Sequence, residues 1–187
     1  MGLLKIIQII IFTLGTLFLV FISRKPLKDL NAHGFYRFFV FEYTLVIVLI
    51  NIPNWFKNPL SLFQIISWIF LAVSILLVIE SFYYLKKYGN KKNREKYSAN
   101  FEFENTIDLV ETGIYKLIRH PMYSSLLFLA FGAMLKLLTI ISVMLTVLVI
   151  IFLILTAKTE EKENIKFFGS AYEEYMKHTK MFVPFLF

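Results

Sequence analysis

The chain has no cysteine and only three histidines in 187 residues. The first absence excludes disulfides, thiolate-held zinc or iron–sulfur clusters, and a cysteine nucleophile. The second, with the histidines scattered, argues against a dedicated metal site. Charge is also scarce: 18% of the residues are charged, against 58% hydrophobic with 21 phenylalanines, and mean hydropathy is +0.66. A soluble domain of this length has too little interior to hide that much apolar surface, so the expected solvent is lipid. The basic residues are not gathered among stacking aromatics, so the net charge of +7 does not indicate nucleic acid. There is no internal repeat.

What is present is a set of long apolar runs, roughly 3–22, 38–53, 60–82, 122–138 and 139–157. About 20 apolar residues cross a bilayer core as a helix. The pattern therefore predicts an all-α polytopic membrane protein with about five spans. The first run follows Lys5 as a signal peptide would, but Ser23-Arg24-Lys25 offers no small-residue cleavage site, which makes it an uncleaved anchor. With five spans, 17 of the 20 lysines and arginines fall on one face, in the 23–37 and 83–121 loops and the 158–187 tail. Only Lys5, Lys57 and Lys136 fall on the other. The positive-inside rule then places the N-terminus outside and the C-terminus in the cytoplasm. Glu42 and Glu80 lie near the ends of their spans, where a carboxylate can reach water.

The tail is too aromatic for a disordered segment. Ile165, Phe168, Tyr172 and Tyr175 recur at helical spacing, Gly169 suits a helix end, and Ser170 with Glu173 fits a capping box. Two short helices are expected, then a stop at Pro184, with Phe182, Phe185 and Phe187 dipping into the interface. Upstream, Thr112 or Gly113 starts a turn that Pro121 ends. His120-Pro121 thus hinges an interfacial turn onto the fourth span.

Taken singly, Arg119, His120 and Tyr123 could be interfacial anchors. Their order along the chain says more. Gly113-x-Tyr115 precedes Arg119-His120-Pro121-Met122-Tyr123; after an apolar hairpin come Glu160-Glu161, Phe168-Gly169 and Tyr172-x-x-Tyr175. Over about residues 105–187 this set resembles the integral-membrane methyltransferases that include isoprenylcysteine carboxyl methyltransferase and its prokaryotic relatives. More distantly, it resembles the phospholipid amine methyltransferases.

The resemblance implies S-adenosyl-L-methionine in a cytoplasmic pocket closed by the tail. It implies cofactor contacts from Ile107, Asp108, Leu109, Val110, Tyr115, His120, Pro121, Met122, Tyr123 and Glu160, with Arg119, His120 and Glu160 as the catalytic set. It divides the chain into three N-terminal spans with a basic loop (1–100) and a cofactor-binding core (101–187). The chemistry suits those residue types. Carboxylates accept from hydroxyls and ammonium groups, a guanidinium or imidazolium holds a carboxylate, and phenol faces sit beside a sulfonium. The expected partner is a lipophilic molecule or lipid entering from the inner leaflet.

Thr156 stands where the family commonly has an arginine, which counts against a prenylcysteine carboxylate as acceptor. Ile114 and Asn164 also depart from the family pattern, where a proline and a leucine are common. Two alternatives remain at this level. One is an NADPH-dependent reductase of the sterol-reductase type, although its His-Pro-Asn-Tyr element would need Asn where Met122 stands. The other is a non-catalytic lipid-binding or scaffold protein.

Overall fold

The computed structural model describes residues 2–90 and 104–184. Within them the regular structure is helical: α1 (Leu3–Ser23), α2 (His33–Asn51), α3 (Leu62–Tyr88), α4 (Pro121–Met134), α5 (Ile140–Phe168) and α6 (Ser170–His178). Four are long and apolar enough to cross a membrane: α1, α2 with its short 3-10 extension, α3 and α5. The chain is a multi-pass membrane protein, and the leucines, isoleucines and phenylalanines exposed along α1, α3 and α5 are the surface that lipid covers.

Consecutive long helices run antiparallel, and polar contacts fix their register. Gln8 on α1 donates to the Leu49 carbonyl of α2, and Thr16 donates to Glu42. On α2, Asn51 reaches Ser142 at the start of α5 while His33 reaches Glu163 near its end. Ser67 and Ser74 of α3 donate to the carbonyls of Gly132 and Ser125 on α4. Hydrocarbon offers no competing donors, so such bonds lock helix positions. Small residues bring α4 close to its neighbours. A Cβ on Gly132 would lie 2.8 Å from the Leu71 side chain, and Ala130 and Ala133 are fully buried. The core joins Val40 and Ile47 of α2, Tyr123 of α4, and Val149, Leu153 and Ala157 of α5.

Helix length positions the site. With 14 residues, α4 rises only about 21 Å, less than a hydrocarbon core of about 30 Å. Its far end is level with the start of α3, where Lys136 and Gln64 bond each other and the Lys136 ammonium sits 3.4 Å from the centre of the Trp68 ring. The shortfall therefore falls at the basic end. Ser125 pairs with Ser74 there, so α3 runs roughly ten residues, about 15 Å, beyond the start of α4. About twenty residues of α5 from Ile140 cover the core, leaving Glu160–Phe168 to project past it. The start of α4 becomes the floor of a recess walled by the projecting ends of α3 and α5.

The tail differs from the sequence expectation in three ways. Its first short helix does not exist separately, because α5 continues unbroken from the apolar span to Phe168. Ser170 is the first residue of α6 rather than its N-cap. Gly169 takes the cap position at φ +62°, and no side chain caps the helix. Phe182 does not dip into lipid. It is buried, with its ring 6.3 Å from that of His120, because the chain after α6 turns back along the junction before α4. Phe185, Phe187 and the basic stretch 91–100 lie outside the described residues.

Candidate active site

The recess holds a cavity that is open on one side. Its floor is the junction Arg119–Tyr123, one wall is Glu160, Asn164 and Phe168 of α5, and another is Leu85 of α3. Glu104, Thr106, Leu109, Val110 and Tyr115 close a third side, and Tyr172 and Tyr175 of α6 form the roof.

The junction is built by local rules. A 3-10 turn spans Gly113–Lys116, opened by Gly113 at φ +62°. No side chain fits there, since a Cβ on Gly113 would lie 2.1 Å from the Tyr84 ring. His120 lies outside the helical region, at φ −122° and ψ 60°, and precedes Pro121, which takes the first position of α4, where its missing N–H costs nothing. The tail pairs with this junction. Arg119 N–H donates to the Lys180 carbonyl at 2.8 Å, His120 N–H to Met181 at 3.2 Å, and Lys180 N–H to Leu117 at 3.1 Å. The Ser124 hydroxyl adds a bond to the Phe182 carbonyl.

Arg119 fastens the assembly. Its Nε donates to Glu161 Oε1 at 2.7 Å, and Nη1 donates to the Thr179 carbonyl. Both ionic partners are nearly buried, at 9% and 8% side-chain exposure, so the pair is a structural tie rather than a surface contact. The Tyr175 hydroxyl donates to the Tyr115 carbonyl at 2.6 Å, fixing α6 over the 3-10 turn. Burial pushes the Tyr115, Tyr172 and Tyr175 phenols up, with negative Glu160 adding to the rise for Tyr172. All three therefore stay neutral hydroxyls.

Facing the cavity, the Tyr123 hydroxyl donates to Glu160 Oε2. The His120 ring stacks on Tyr123 with centroids 5.3 Å apart, and its Nδ1 lies 3.9 Å from the same Glu160 oxygen. His120 Nε2 is 3.5 Å from Glu161 Oε1, too poorly placed for a hydrogen bond, and is buried without another partner.

Of the residues expected from sequence, Leu109, Val110, Tyr115, Arg119, His120, Pro121, Met122, Tyr123 and Glu160 all line this cavity. Ile107 and Asp108 do not, and Asp108 is exposed. Sequence reasoning missed Glu104, which lines the cavity and is gripped by Arg37 of α2, one guanidinium nitrogen donating to both carboxylate oxygens at 2.8 and 2.7 Å. It also missed His33, whose Nδ1 lies 2.6 Å from Glu163 Oε2. A usable signal was there: Arg37, Val40, Thr44, Ile47 and Asn51 form one buried stripe of α2, and His33 stands four residues before it.

The cavity thus gathers a carboxylate, neutral phenols and a histidine on the scaffold of a helical membrane protein. The family model for phospholipid methyltransferases matches residues 62–171, and the chain belongs to that family. Family membership makes it a methyltransferase of lipid-type substrates and sets aside the reductase and scaffold alternatives. No curated protein and no solved structure gives a significant match.

Proposed function

We propose that this protein transfers a methyl group from S-adenosyl-L-methionine to a lipophilic acceptor at the cytoplasmic face of the membrane. The observation that carries the reading is the Glu160 carboxylate, presented to an aromatic-walled cavity and oriented by the Tyr123 hydroxyl. The residues present fit the cofactor. Glu160 can accept from ribose hydroxyls or an ammonium, and the Tyr115, Tyr123 and Tyr172 rings can wall a cation. Bound there, the cofactor supplies a methyl group on a cationic sulfonium.

The chain's own contribution is placement and exclusion of water. Methyl transfer is an in-line displacement, and orientation alone can lower such a barrier by roughly 7–11 kcal/mol. His120, Pro121 and Tyr123 set the floor. Arg119 acts by tying the tail to α5, since its Nε and Nη1 are committed to Glu161 and Thr179. Tyr172 and Tyr175 roof the cavity against bulk water. The recess at the start of α4 lets an acceptor reach it sideways from the inner leaflet while the cofactor enters from the aqueous side. The gathering of Lys and Arg at the cavity end supports a cytoplasmic orientation of that end.

The test uses the detergent-purified full chain. Saturable binding of labelled S-adenosylmethionine, and transfer of its label into a total lipid extract, is the expected result. NADPH binding in its place, or binding of neither, would overturn the reading. Mass spectrometry of the labelled lipid identifies the acceptor.

A further inference from the structure

The cavity wall that carries Glu104 is held from two sides. Thr106 N–H donates to the Glu104 carbonyl at 2.9 Å, and Ile107 N–H donates to the Asn90 carbonyl at 3.3 Å. The Thr106 methyl packs on the end of α3, so closely that a Cβ on Gly89 would lie 2.3 Å from it. From the other side comes Arg37 of α2, a helix outside the segment that the family model matches. Its Nη1 donates to both carboxylate oxygens of Glu104, at 2.8 and 2.7 Å.

Two ion pairs reach the cavity, and they face it in opposite senses. In the Arg119–Glu161 pair the arginine lines the cavity and the glutamate does not. In the Arg37–Glu104 pair the glutamate lines the cavity and the arginine does not. Exposure follows the same order, with the Arg37 side chain at 4% and the Glu104 side chain at 15%. A tie that only fastened the wall to α2 has no need to keep its carboxylate at the cavity surface. A carboxylate has about four acceptor positions, and Nη1 takes two of them. Glu104 is thus fixed and charge-balanced before any ligand arrives, which lowers the cost of binding one.

Glu160 stands on a different wall, so a ligand in the cavity meets a carboxylate from each of two sides. S-adenosylmethionine carries its donors at two separated places, the ribose hydroxyls and the α-ammonium. One carboxylate can serve one of these places; two can serve both.

We propose that Glu104 is a second cofactor-binding carboxylate, accepting from whichever donor end Glu160 does not hold, and that Arg37 is the positioning residue that fixes it there. The assignment rests on the function proposed above and deepens it.

Competition against labelled S-adenosylmethionine, on the detergent-purified full chain, measures affinity for three ligands. S-adenosylhomocysteine carries both donor ends, its dideoxyribose form lacks the hydroxyls, and methylthioadenosine lacks the amino-acid end. Glu104→Gln should weaken S-adenosylhomocysteine binding by roughly ten- to hundredfold. The loss should disappear for one truncated ligand and remain for the other. Disappearance with the dideoxyribose form assigns Glu104 to the hydroxyls; disappearance with methylthioadenosine assigns it to the ammonium. Arg37→Gln should show the same ligand pattern, and adding it to Glu104→Gln should cost little more, because Arg37 acts through Glu104.

Circular dichroism and Tm report folding. Glu104→Gln takes the anion from a buried guanidinium. If that variant unfolds, the double variant, which faces one amide with another, is read against the same three ligands. Equal losses for all three would mean that Glu104 only braces the wall, and unchanged affinities that it meets no ligand. Either result overturns the inference and leaves the proposed function standing. A wild type that binds no labelled S-adenosylmethionine would overturn that function and this assignment with it.

Discussion

The Tyr123 hydroxyl donates to the Glu160 carboxylate and so joins the first turn of α4 to the projecting end of α5. Tyr123 is 5% exposed and stacks on His120, so the phenol has little freedom to point elsewhere. The bond aims a carboxylate into a cavity at the membrane edge, and it identifies the first pair to test.

Glu160→Gln keeps shape and an acceptor oxygen but removes charge. Folding should survive, and S-adenosylmethionine affinity should fall by roughly ten- to hundredfold, the worth of a charge-assisted hydrogen bond at about 1.5–3 kcal/mol. Equilibrium binding in detergent measures it; wild-type affinity in a folded variant would remove Glu160 from the site. Tyr123→Phe should lose about tenfold in wild type. It should lose much less in the Glu160→Gln background, because the two residues share one bond.

Arg119 should resist conservative replacement. Lysine cannot present Nε and Nη1 in fixed directions to both Glu161 and Thr179. Arg119→Lys is expected to loosen residues 176–184, which limited proteolysis reads as faster cleavage of the tail. Cleavage at the wild-type rate would show that the backbone pairing of 117–120 with 180–181 holds the tail unaided.

The two positive-φ glycines separate backbone strain from crowding. Gly169 has open space around it, so Gly169→Ala should cost only the conformational term, on the order of 1–3 kcal/mol. Gly113→Ala meets the Tyr84 ring as well and should lower Tm further. Equal Tm losses would mean that Tyr84 moves aside freely.

Topology can be read by labelling, since no native cysteine interferes. Single cysteines replacing Ser61, at the start of α3, and Ser170, at the start of α6, should react from opposite sides of sealed vesicles. Reaction of both from the same side would overturn the span count.

Much of this protein is legible along the chain because lipid imposes a one-dimensional rule. A helix that satisfies its own backbone must also be apolar over its length, so the runs at 3–22, 60–82 and 139–157 announce themselves as α1, α3 and α5. Local chemistry also announced the bend at His120-Pro121 and the helix stop at Gly169. The pairing of Arg119 with Glu161 could be anticipated from charge, and the structure supplies its 2.7 Å contact. Whatever depends on helices meeting was hidden. Hydropathy carries no record of register, so nothing along the chain says that α4 stops short and floors a recess. The return of residues 179–182 along the junction, which buries Phe182, is a backbone pairing that no side-chain pattern encodes. His33 and Arg37 read as ordinary basic residues before a span. Only the packing of α2 on α5 and against Glu104 removes them from water and pairs them with Glu163 and Glu104.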